Sequence, residues 1–363
     1  MKKINVLYIF KRPVAKDIKK AQIGNYPKDF FYGAINSNKN IEIKVFDDFF
    51  YNSLLQKIQS LLYIFLIRLF RIGFSIILVF TQIRHIKKAD LVFATVDTVG
   101  LPLLTLKALK IFSKPVIVNT GGLCDTLLEA ESPIYTKIVS WLLKKANLII
   151  SGASFYECRK LSQLLSIPIQ RFSFVRLGID TDYFKPEKGQ KTGNYVLIIG
   201  ADLKRDWYLV KQLSEKFYNL KFVIITLPRL ISVELPSNCK VIYNQPISIV
   251  RKYIRNSKFL LIPSFQNYHF AGQSTAFRGM SCAKTVIFTK SFGVSEYKIR
   301  NYEEAILIRP SNLSDAVEAF KWINKNQDRL NHIGKKAREY IIKKCSYSSY
   351  GKDLSRIILR PSQ

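Results

Sequence analysis

The chain has 363 residues, of which 57 are Lys or Arg and 26 are Asp or Glu, so its formal net charge is +31, and 48% of its residues are hydrophobic. So much apolar material excludes a disordered chain, and at roughly 150 residues per domain the length predicts two domains. The cysteines are scattered and form no Cys-x-x-Cys pair, which excludes a disulfide framework and a zinc ribbon and favours a reducing compartment. The histidines lie far apart, so we expect no metal site.

Short apolar, β-branched runs alternate with helical stretches along the whole chain. The first run returns at once to Lys11-Arg12-Pro13 and is too brief for a signal peptide. The runs are Ile4–Phe10, Ile41–Phe46, Leu91–Ala94, Val116–Asn119 and Leu148–Ile150 in the first half, and Tyr195–Gly200, Phe222–Leu227, Val241–Tyr243, Phe259–Pro263, Val286–Thr289 and Ile306–Ile308 in the second. Continuous apolar strands that alternate with helices are typical of parallel sheets covered on both faces. The sequence therefore predicts an α/β protein with two Rossmann-like, doubly wound domains.

The segment Leu54–Ile83 departs from this alternation because Leu, Ile and Phe dominate it. Within Leu61–Phe80 only Arg68 and Arg71 are charged, and this length suits a membrane span. A single span, however, would put the neighbouring strands on opposite sides of the bilayer, although the alternation requires them in one sheet. The polar side chains of a helix here would share one narrow stripe. Two interpretations remain: a long core helix, broken at Gly73, and a helix that lies in a membrane interface.

The domain boundary is predicted after Asp180. Residues 186–193, a little further on, are polar, rich in chain breakers and without periodicity. We therefore expect a first domain over residues 1–180 and a second over residues 181–345. A polar joint then leads into a last amphipathic segment, and we expect residues 346–363 to pack back on the first domain.

The chain around the predicted boundary reads Val175-Arg-Leu-Gly178-Ile-Asp180-Thr-Asp-Tyr-Phe184-Lys-Pro186. Gly178 permits a tight turn, Phe184 can plug a core, and Pro186 ends the excursion. An ordinary turn between a helix and a strand would also account for these residues.

Two cations follow the strand that ends at Gly200, namely Lys204 and Arg205. Open α/β sheets bind ligands beyond the carboxyl ends of their strands, and an arginine can hold two phosphate oxygens at once. Arg205 is therefore our first candidate for binding phosphate and Lys204 the second, with Gly200 in the same turn. The alternative is that both cations are solvated loop charges.

A third motif, Ala271-Gly-Gln-Ser-Thr275, precedes a predicted helix. Gly272 permits close approach of the backbone to a ligand. Ser274 and Thr275 present hydroxyl and N–H groups at a helix N-terminus, which favours anions. The motif is similar to a variant of the GT-B glycosyltransferase superfamily that bears Ala-Gly-Gln-x-Thr at this point, which implies that Gly272, Gln273, Ser274 and Thr275 bind the donor's phosphate or sugar groups. The alternative is that Ser274 or Thr275 merely caps the helix.

Taken together, these segments resemble the family 4-like, retaining glycosyltransferases of the GT-B fold. The resemblance is strong over about residues 150–363 and loose over residues 1–150. It implies a nucleotide-diphosphate-sugar donor bound by the second domain, retention of configuration, and no metal or other cofactor. It also implies that Glu296, in the stretch Lys290-Ser-Phe-Gly293-Val-Ser-Glu296, accepts hydrogen bonds from ribose or sugar hydroxyls at a helix start. A carboxylate in a first turn is also favourable through the helix dipole alone.

The sequence departs from the family pattern at the family's two glutamates. Phe270 stands at the position of the first, which lies near the transferred sugar, and Arg278 at the second, which lies near the ribose. Those contacts must come from elsewhere or be absent. His269 and Gln273 are our candidates for catalytic contacts, although a lone loop histidine is commonly a surface hydrogen-bonding residue. Arg278 either faces the donor or is solvated.

In the first half the resemblance is one of architecture only. Cations and glycines follow predicted strands there, at the sheet edge where α/β proteins bind ligands. We predict acceptor contacts, without assigning a base, at Lys11, Arg12, Thr120, Gly121 and Gly122.

These observations predict a glycosyltransferase of polysaccharide or lipopolysaccharide biosynthesis that acts on a lipid-linked or polysaccharide acceptor. The basic composition and the 54–83 segment favour an anionic membrane surface, so we expect a cytoplasmic protein associated peripherally with the inner face of the cell membrane. One alternative is a GT-B-shaped protein that binds nucleotide sugar or a partner without catalysis. The other is a nucleic-acid-binding protein, which the spread of the basic residues and the lack of a nucleic-acid-binding motif disfavour.

Overall fold

The computed structural model describes residues 3–35, 38–46, 53–70, 73–151, 154–187, 189 and 192–359. The chain divides into two compact units. The first unit comprises the chain up to Arg176 together with the residues from Tyr350 onward, and the second is Leu177–Ser349. The first boundary thus lies at Arg176 rather than at Asp180.

Each unit is built on a six-stranded parallel sheet. The strands of the first are β1 (Ile4–Ile9), β2 (Ile41–Val45), β3 (Leu91–Ala94), β4 (Val116–Thr120), β5 (Leu148–Ser151) and β6 (Phe172–Phe174). Those of the second are β7 (Tyr195–Gly200), β8 (Lys221–Thr226), β9 (Cys239–Tyr243), β10 (Phe259–Ile262), β11 (Val286–Thr289) and β12 (Ile306–Ile308). The predicted pair of doubly wound parallel sheets is confirmed. Of these strands the sequence missed β6, because Ser173 interrupts its apolar run.

Helices connect the strands. They are α1 (Ala15–Gln22), α2 (Ser53–Phe70), α3 (Ile76–Thr81), α4 (Ile83–Lys88), α5 (Asp97–Ala108), α6 (Leu123–Ala130), α7 (Pro133–Leu143), α8 (Phe155–Leu165), α9 (Trp207–Lys216), α10 (Ile247–Asn256), α11 (Gln273–Ser281), α12 (Leu313–Lys325), α13 (Gln327–Lys344) and α14 (Tyr347–Ile358). Short 3₁₀ helices occur at Lys28–Phe31, Ile169–Arg171 and Phe292–Tyr297.

The last helix, α14, completes the core of the first unit. Its buried residues Tyr350, Leu354 and Ile358 belong to the same apolar cluster as Val6 and Phe31. The predicted polar joint, Ser346-Tyr-Ser-Ser349, lies mostly within this helix, which begins at Tyr347. The Ser346 hydroxyl accepts a hydrogen bond from the backbone N–H of Ser349 at 3.2 Å, so the serines start the helix instead of interrupting the chain.

The apolar segment 54–83 is not one helix. Helix α2 ends at Phe70, the backbone is not helical at Gly73–Ser75, and α3 begins at Ile76. Arg71 and Ile72, which the sequence placed in this segment, lie outside the described residues. In α2 the side chains of Leu61 and Phe65 are 69% and 58% exposed, so the core-helix interpretation is wrong for this part. None of the helices in the described ranges is long and apolar enough to cross a membrane.

Both sheets change direction once. In the first, with order β2-β1-β3-β4-β5-β6, the chain runs outward from β1 to β2 and then returns to β3. In the second, with order β12-β11-β10-β7-β8-β9, it runs outward from β7 to β9 and returns to β10. The crevices beyond the carboxyl ends of β1 and β3, and of β7 and β10, are therefore the topological switch points where such sheets bind ligands.

Candidate functional site

In the second unit, the chain segments beyond β7 and β10 are joined by backbone hydrogen bonds. The N–H of Phe265 donates to the carbonyl of Lys204 at 3.0 Å, and the N–H of Asp206 donates to the carbonyl of Pro263 at 3.3 Å. Asp206 also caps α9 by accepting from the N–H of Leu209 at 2.9 Å. The switch point of this sheet thus has a floor fixed by main-chain bonds.

Arg205 is buried in that floor. Its Nη2 atom pairs with Asp202 at 2.9 Å and Nη1 donates to the carbonyl of Pro263 at 3.2 Å. The Nε atom is buried and, within the described part of the chain, has no hydrogen-bond partner. Burial lowers the pKa of the guanidinium, and the Asp202 carboxylate opposes this shift. The side chain of Arg205 has no solvent exposure in this structure. The prediction that it binds a phosphate directly at the surface is therefore corrected.

Two glycines make room for this guanidinium. A Cβ on Gly200 would lie 2.4 Å from Nε of Arg205, and a Cβ on Gly272 would lie 3.0 Å from both of its terminal nitrogens. Gly272 also has a positive φ of +79°, which L side chains rarely adopt. The arginine therefore lies directly behind the backbone that begins α11.

Helix α11 begins with an open N-terminus. Its N-cap is Gly272, which offers no side-chain cap, and Gln273, Ser274 and Thr275 form the first turn. The alternative that a serine or threonine merely caps this helix is therefore wrong. The N–H of Gln273 donates to the carbonyl of Phe270 at 3.0 Å, while the N–H groups of Ser274 and Thr275, in the same first turn, have no acceptor within their own helix. The hydroxyls of Ser274 and Thr275 stand half-buried beside those groups, and the charge of Arg205 lies behind them.

The side chain of Gln273 points away from this opening. It is buried, and its amide donates a hydrogen bond to the hydroxyl of Tyr297. Burial raises the pKa of Tyr297 well above its ordinary value, so the phenol stays protonated. Gln273 thus fixes the start of α11 from inside. This geometry corrects the prediction that the side chain of Gln273 contacts the donor directly.

The positions of the family's two glutamates hold structural side chains. Phe270 is 2% exposed and packs against Phe277, Phe288 and Tyr297. Arg278 is half-buried, and its guanidinium lies over the ring of Phe184, 5.2 Å from the ring centroid.

The remaining candidates of this unit differ in placement. Lys204 is half-buried in the loop after β7, and His269 is half-buried in the loop before α11. Glu296 is near the end of the 3₁₀ helix Phe292–Tyr297, not in a first turn, so the helix-dipole argument for it is wrong. Gly293 explains the neighbouring turn, since a Cβ there would lie 2.6 Å from the backbone nitrogen of Phe270.

At the switch point of the first unit, the edge is more open. Lys11 and Arg12 are exposed, and Arg12 pairs with Asp17 at 3.4 Å. Nothing lies within 4 Å of a Cβ built on Gly121, and Gly122 begins α6 with a φ of +87°. The Thr120 hydroxyl is buried and donates to the carbonyl of Ile150 at 3.2 Å, so it braces β4 against β5 and is not available to an acceptor.

Sequence reasoning missed Asp97, the first residue of α5. It follows β3, which lies beside β1 and β4, so it shares this edge with Lys11 and Gly121. Burial raises its pKa to about 6, while hydrogen bonds from the backbone N–H groups of Asp97 and Thr98 and the charge of Lys11 oppose the shift. Residues after β1 and β4 were chosen because they follow the carboxyl ends of strands, and Asp97 follows β3 in the same way. Over the described ranges, no three His, Cys, Asp or Glu side chains are grouped so that they could hold a metal ion.

No protein-family model matches the chain, and no curated protein sequence matches it significantly. Solved structures do. HepE from Anabaena, in complex with UDP and glucose, superposes with a TM-score of 0.71 at 13% identity, over 98% of this chain and 99% of that one. Sucrose-phosphate synthase from Thermosynechococcus elongatus gives 0.70 at 11% identity, over 98% of each chain. A glycosyltransferase from Rickettsia africae gives 0.63 at 13% identity, also over 98% of each. The chain has the GT-B fold.

Proposed function

We propose that this protein is a glycosyltransferase whose second unit binds a nucleotide-diphosphate sugar at the N-terminus of α11. The observation that carries the proposal is the position of Arg205, held between Gly200 and Gly272 directly behind an uncapped helix start at the switch point of the sheet. A buried cation and first-turn amides favour the same ligand, an anion. The UDP and UDP-glucose complexes of HepE supply a precedent for the ligand class.

The diphosphate would meet three kinds of groups. The first-turn amides and the Ser274 and Thr275 hydroxyls donate hydrogen bonds, Lys204 supplies a solvent-accessible charge, and Arg205 acts through the backbone in front of it. When the bond between the sugar and the diphosphate breaks, negative charge grows on the leaving oxygen, and fixed cations and amides stabilise it. We propose that the reaction needs no metal or other cofactor and, by resemblance to the family, that it retains configuration. Product anomers measured by NMR test retention.

On the acceptor side, we propose that Lys11, Asp97 and the open space at Gly121 contact the hydroxyl-bearing substrate. A carboxyl whose pKa is about 6 is ionised at neutral pH and can accept a hydrogen bond from a sugar hydroxyl. The acceptor that we propose is lipid-linked or a polysaccharide at the inner face of the cell membrane. The support is α2, which exposes Leu61 and Phe65, in a stretch without any acidic residue between Asp48 and Asp90.

Titration calorimetry with UDP-glucose and GDP-mannose tests the donor site. We expect Lys204→Ala to weaken binding about tenfold, the equivalent of one charged hydrogen bond, because it removes the accessible cation. Lys221→Ala is the matched control, because Lys221 is the first residue of β8 and lies at the amino end of the strands, away from the carboxyl ends where the donor site is proposed. Equal affinities for wild type and Lys204→Ala would remove this residue from the site, and no binding of any nucleotide sugar would refute the proposal.

A second candidate is a GT-B-shaped protein that binds nucleotide sugar without transferring it. The observation in its favour is Phe270, which fills the place of the family's first glutamate with a buried ring. Incubation with donor and native membranes separates the two: nucleotide release with sugar incorporation supports transfer, and binding without release supports the second candidate.

A further inference from the structure

Helices α2 to α5, α7 and α8 lie on one side of the first sheet. The connections from β2 to β3, β3 to β4, β4 to β5 and β5 to β6 all advance in one direction, and right-handed crossovers place them on the same side. Contacts join α2 to α3, α3 to α5, α5 to α7, and α7 to α8. In the described part of the first unit, the exposed large apolar side chains other than Ile23 belong to these helices or to the turn after α5. They are Ile58, Leu61, Ile64, Phe65, Ile67, Phe80, Leu109, Ile134, Ile138, Trp141, Phe155 and Tyr156.

Helix α7 is apolar on both of its sides. Val139, Leu142 and Leu143 are buried on the inner side. On the outer side Ile134, Ile138 and Trp141, spaced four and three residues apart, are 74%, 47% and 53% exposed. A surface helix of a globular protein normally has a polar outer face, and contiguous exposed apolar patches mark interaction sites.

Cations surround this outer face. The ammonium of Lys145 lies 5.6 Å from the ring centroid of Trp141. On the adjoining helix α8, the guanidinium of Arg159 lies 5.3 Å from the ring centroid of Phe155 and 5.6 Å from that of Tyr156. No acidic residue occurs between Glu131 and Glu157, whereas Lys137 and Lys144 are also exposed.

This combination distinguishes between possible occupants. Protein–protein interfaces have cores that are depleted of lysine. Membrane interfaces accept tryptophan and tyrosine at the headgroup level, while neighbouring lysines and arginines reach anionic headgroups. The alternation of aromatic and basic side chains on α7 and α8 fits the second description.

The direction of the two helices places their first turns near the acceptor edge. Helix α8 follows β5 and α7 leads into it, so both run antiparallel to the strands. Ile134 and Phe155 therefore lie toward the carboxyl edge of the sheet, which also carries Lys11 and Asp97.

We propose that the outer face of α7 and the first turn of α8 form a docking surface for an anionic lipid bilayer. This surface holds the carboxyl edge of the first sheet next to acceptors anchored in the same bilayer. This proposal depends on the proposed function only for the identity of the acceptor, because adsorption of the protein to lipid requires neither a donor nor sugar transfer.

Sedimentation with sucrose-loaded vesicles tests the surface. We expect wild type to bind vesicles that contain phosphatidylglycerol and to bind pure phosphatidylcholine vesicles at least about tenfold more weakly, because adsorption combines apolar burial with charge attraction. Ile138→Glu with Trp141→Glu should reduce binding to the anionic vesicles at least about tenfold. The matched control is Tyr218→Glu with Ile342→Glu, two exposed apolar residues of the second unit, and it should bind as wild type does.

Three results would overturn the proposal. The first is no vesicle binding by wild type, and the second is unchanged binding by the α7 variant. The third is that wild type is a dimer in analytical ultracentrifugation whereas the α7 variant is a monomer. Unchanged binding by the α7 variant together with loss in a Leu61→Glu and Phe65→Glu variant would leave α2 as the only lipid contact. Circular dichroism and thermal unfolding of the same samples show whether each variant is folded. A failure to bind nucleotide sugar would refute the proposed function without affecting the vesicle result.

Discussion

At the switch point of the second sheet, the groups beyond the strands are a buried guanidinium and an uncapped helix start. At the switch point of the first sheet, they are exposed cations and the carboxyl group of Asp97. The two sheets follow the same winding rule, yet one edge is built from fixed positive charge and the other from a group that titrates near neutral pH. The fold thus provides two equivalent places for ligands, and the side chains give each place its own chemistry.

The sharpest test of this comparison is Arg205. We expect Arg205→Ala to lower the free energy of unfolding by about 3 kcal/mol, because it removes buried methylene groups and leaves a cavity. Arg205→Met keeps most of the volume and should cost less than about 1.5 kcal/mol. Both variants should lose donor affinity at least about tenfold. Urea unfolding and calorimetry with a nucleotide sugar measure the two effects, and wild-type affinity in Arg205→Met would show that the buried charge has no part in binding.

A substitution at Asp97 tests the switch point of the first sheet. Its pKa is about 6 in the folded protein against 3.8 for the ordinary group. The folded state therefore holds this proton up to a higher pH, and wild-type stability falls as the pH rises through this window. Asp97 is half-buried, so solvent screens part of this effect. We expect Asp97→Asn to be more stable than wild type by about 2 kcal/mol at pH 7.5, and equal to it at about pH 3, below the ordinary pKa of 3.8.

The same Asp97→Asn variant should transfer sugar more slowly while binding donor normally. Urea unfolding at the two pH values, together with a transfer assay, provides the measurements. Equal stability of the two proteins at pH 7.5 would contradict the raised pKa, and undiminished transfer would remove Asp97 from the acceptor site.

The smallest expected effect is at the first turn of α11. Ser274→Ala should weaken donor binding by about 1 kcal/mol, the contribution of one hydroxyl hydrogen bond, with little change in stability. Ser248→Ala is the control, because Ser248 is at the same position in the first turn of α10, where the N-cap is Pro246 and not a glycine. If both variants bound donor as wild type does, the Ser274 hydroxyl would not contact it.

Local patterns predicted the strands well. The bounds of β3, β7, β11 and β12 are those predicted, because each is a short apolar run with a polar residue within two positions of each end. The pattern failed at β6 and in the 54–83 segment. In that segment, composition shows that apolar side chains are present but not which of them the rest of the fold covers.

Residues close together in the chain are enough to predict two doubly wound parallel sheets and the loops that follow the carboxyl ends of their strands. The groups that those loops present depend instead on how the chain packs. Arg205 is buried because Gly200, Asp202 and Gly272 converge on it, and Gln273 turns inward because Tyr297 accepts its hydrogen bond. The outer side of α7 stays uncovered because no described element packs there. Such outcomes depend on partners distant in sequence, which no local pattern specifies.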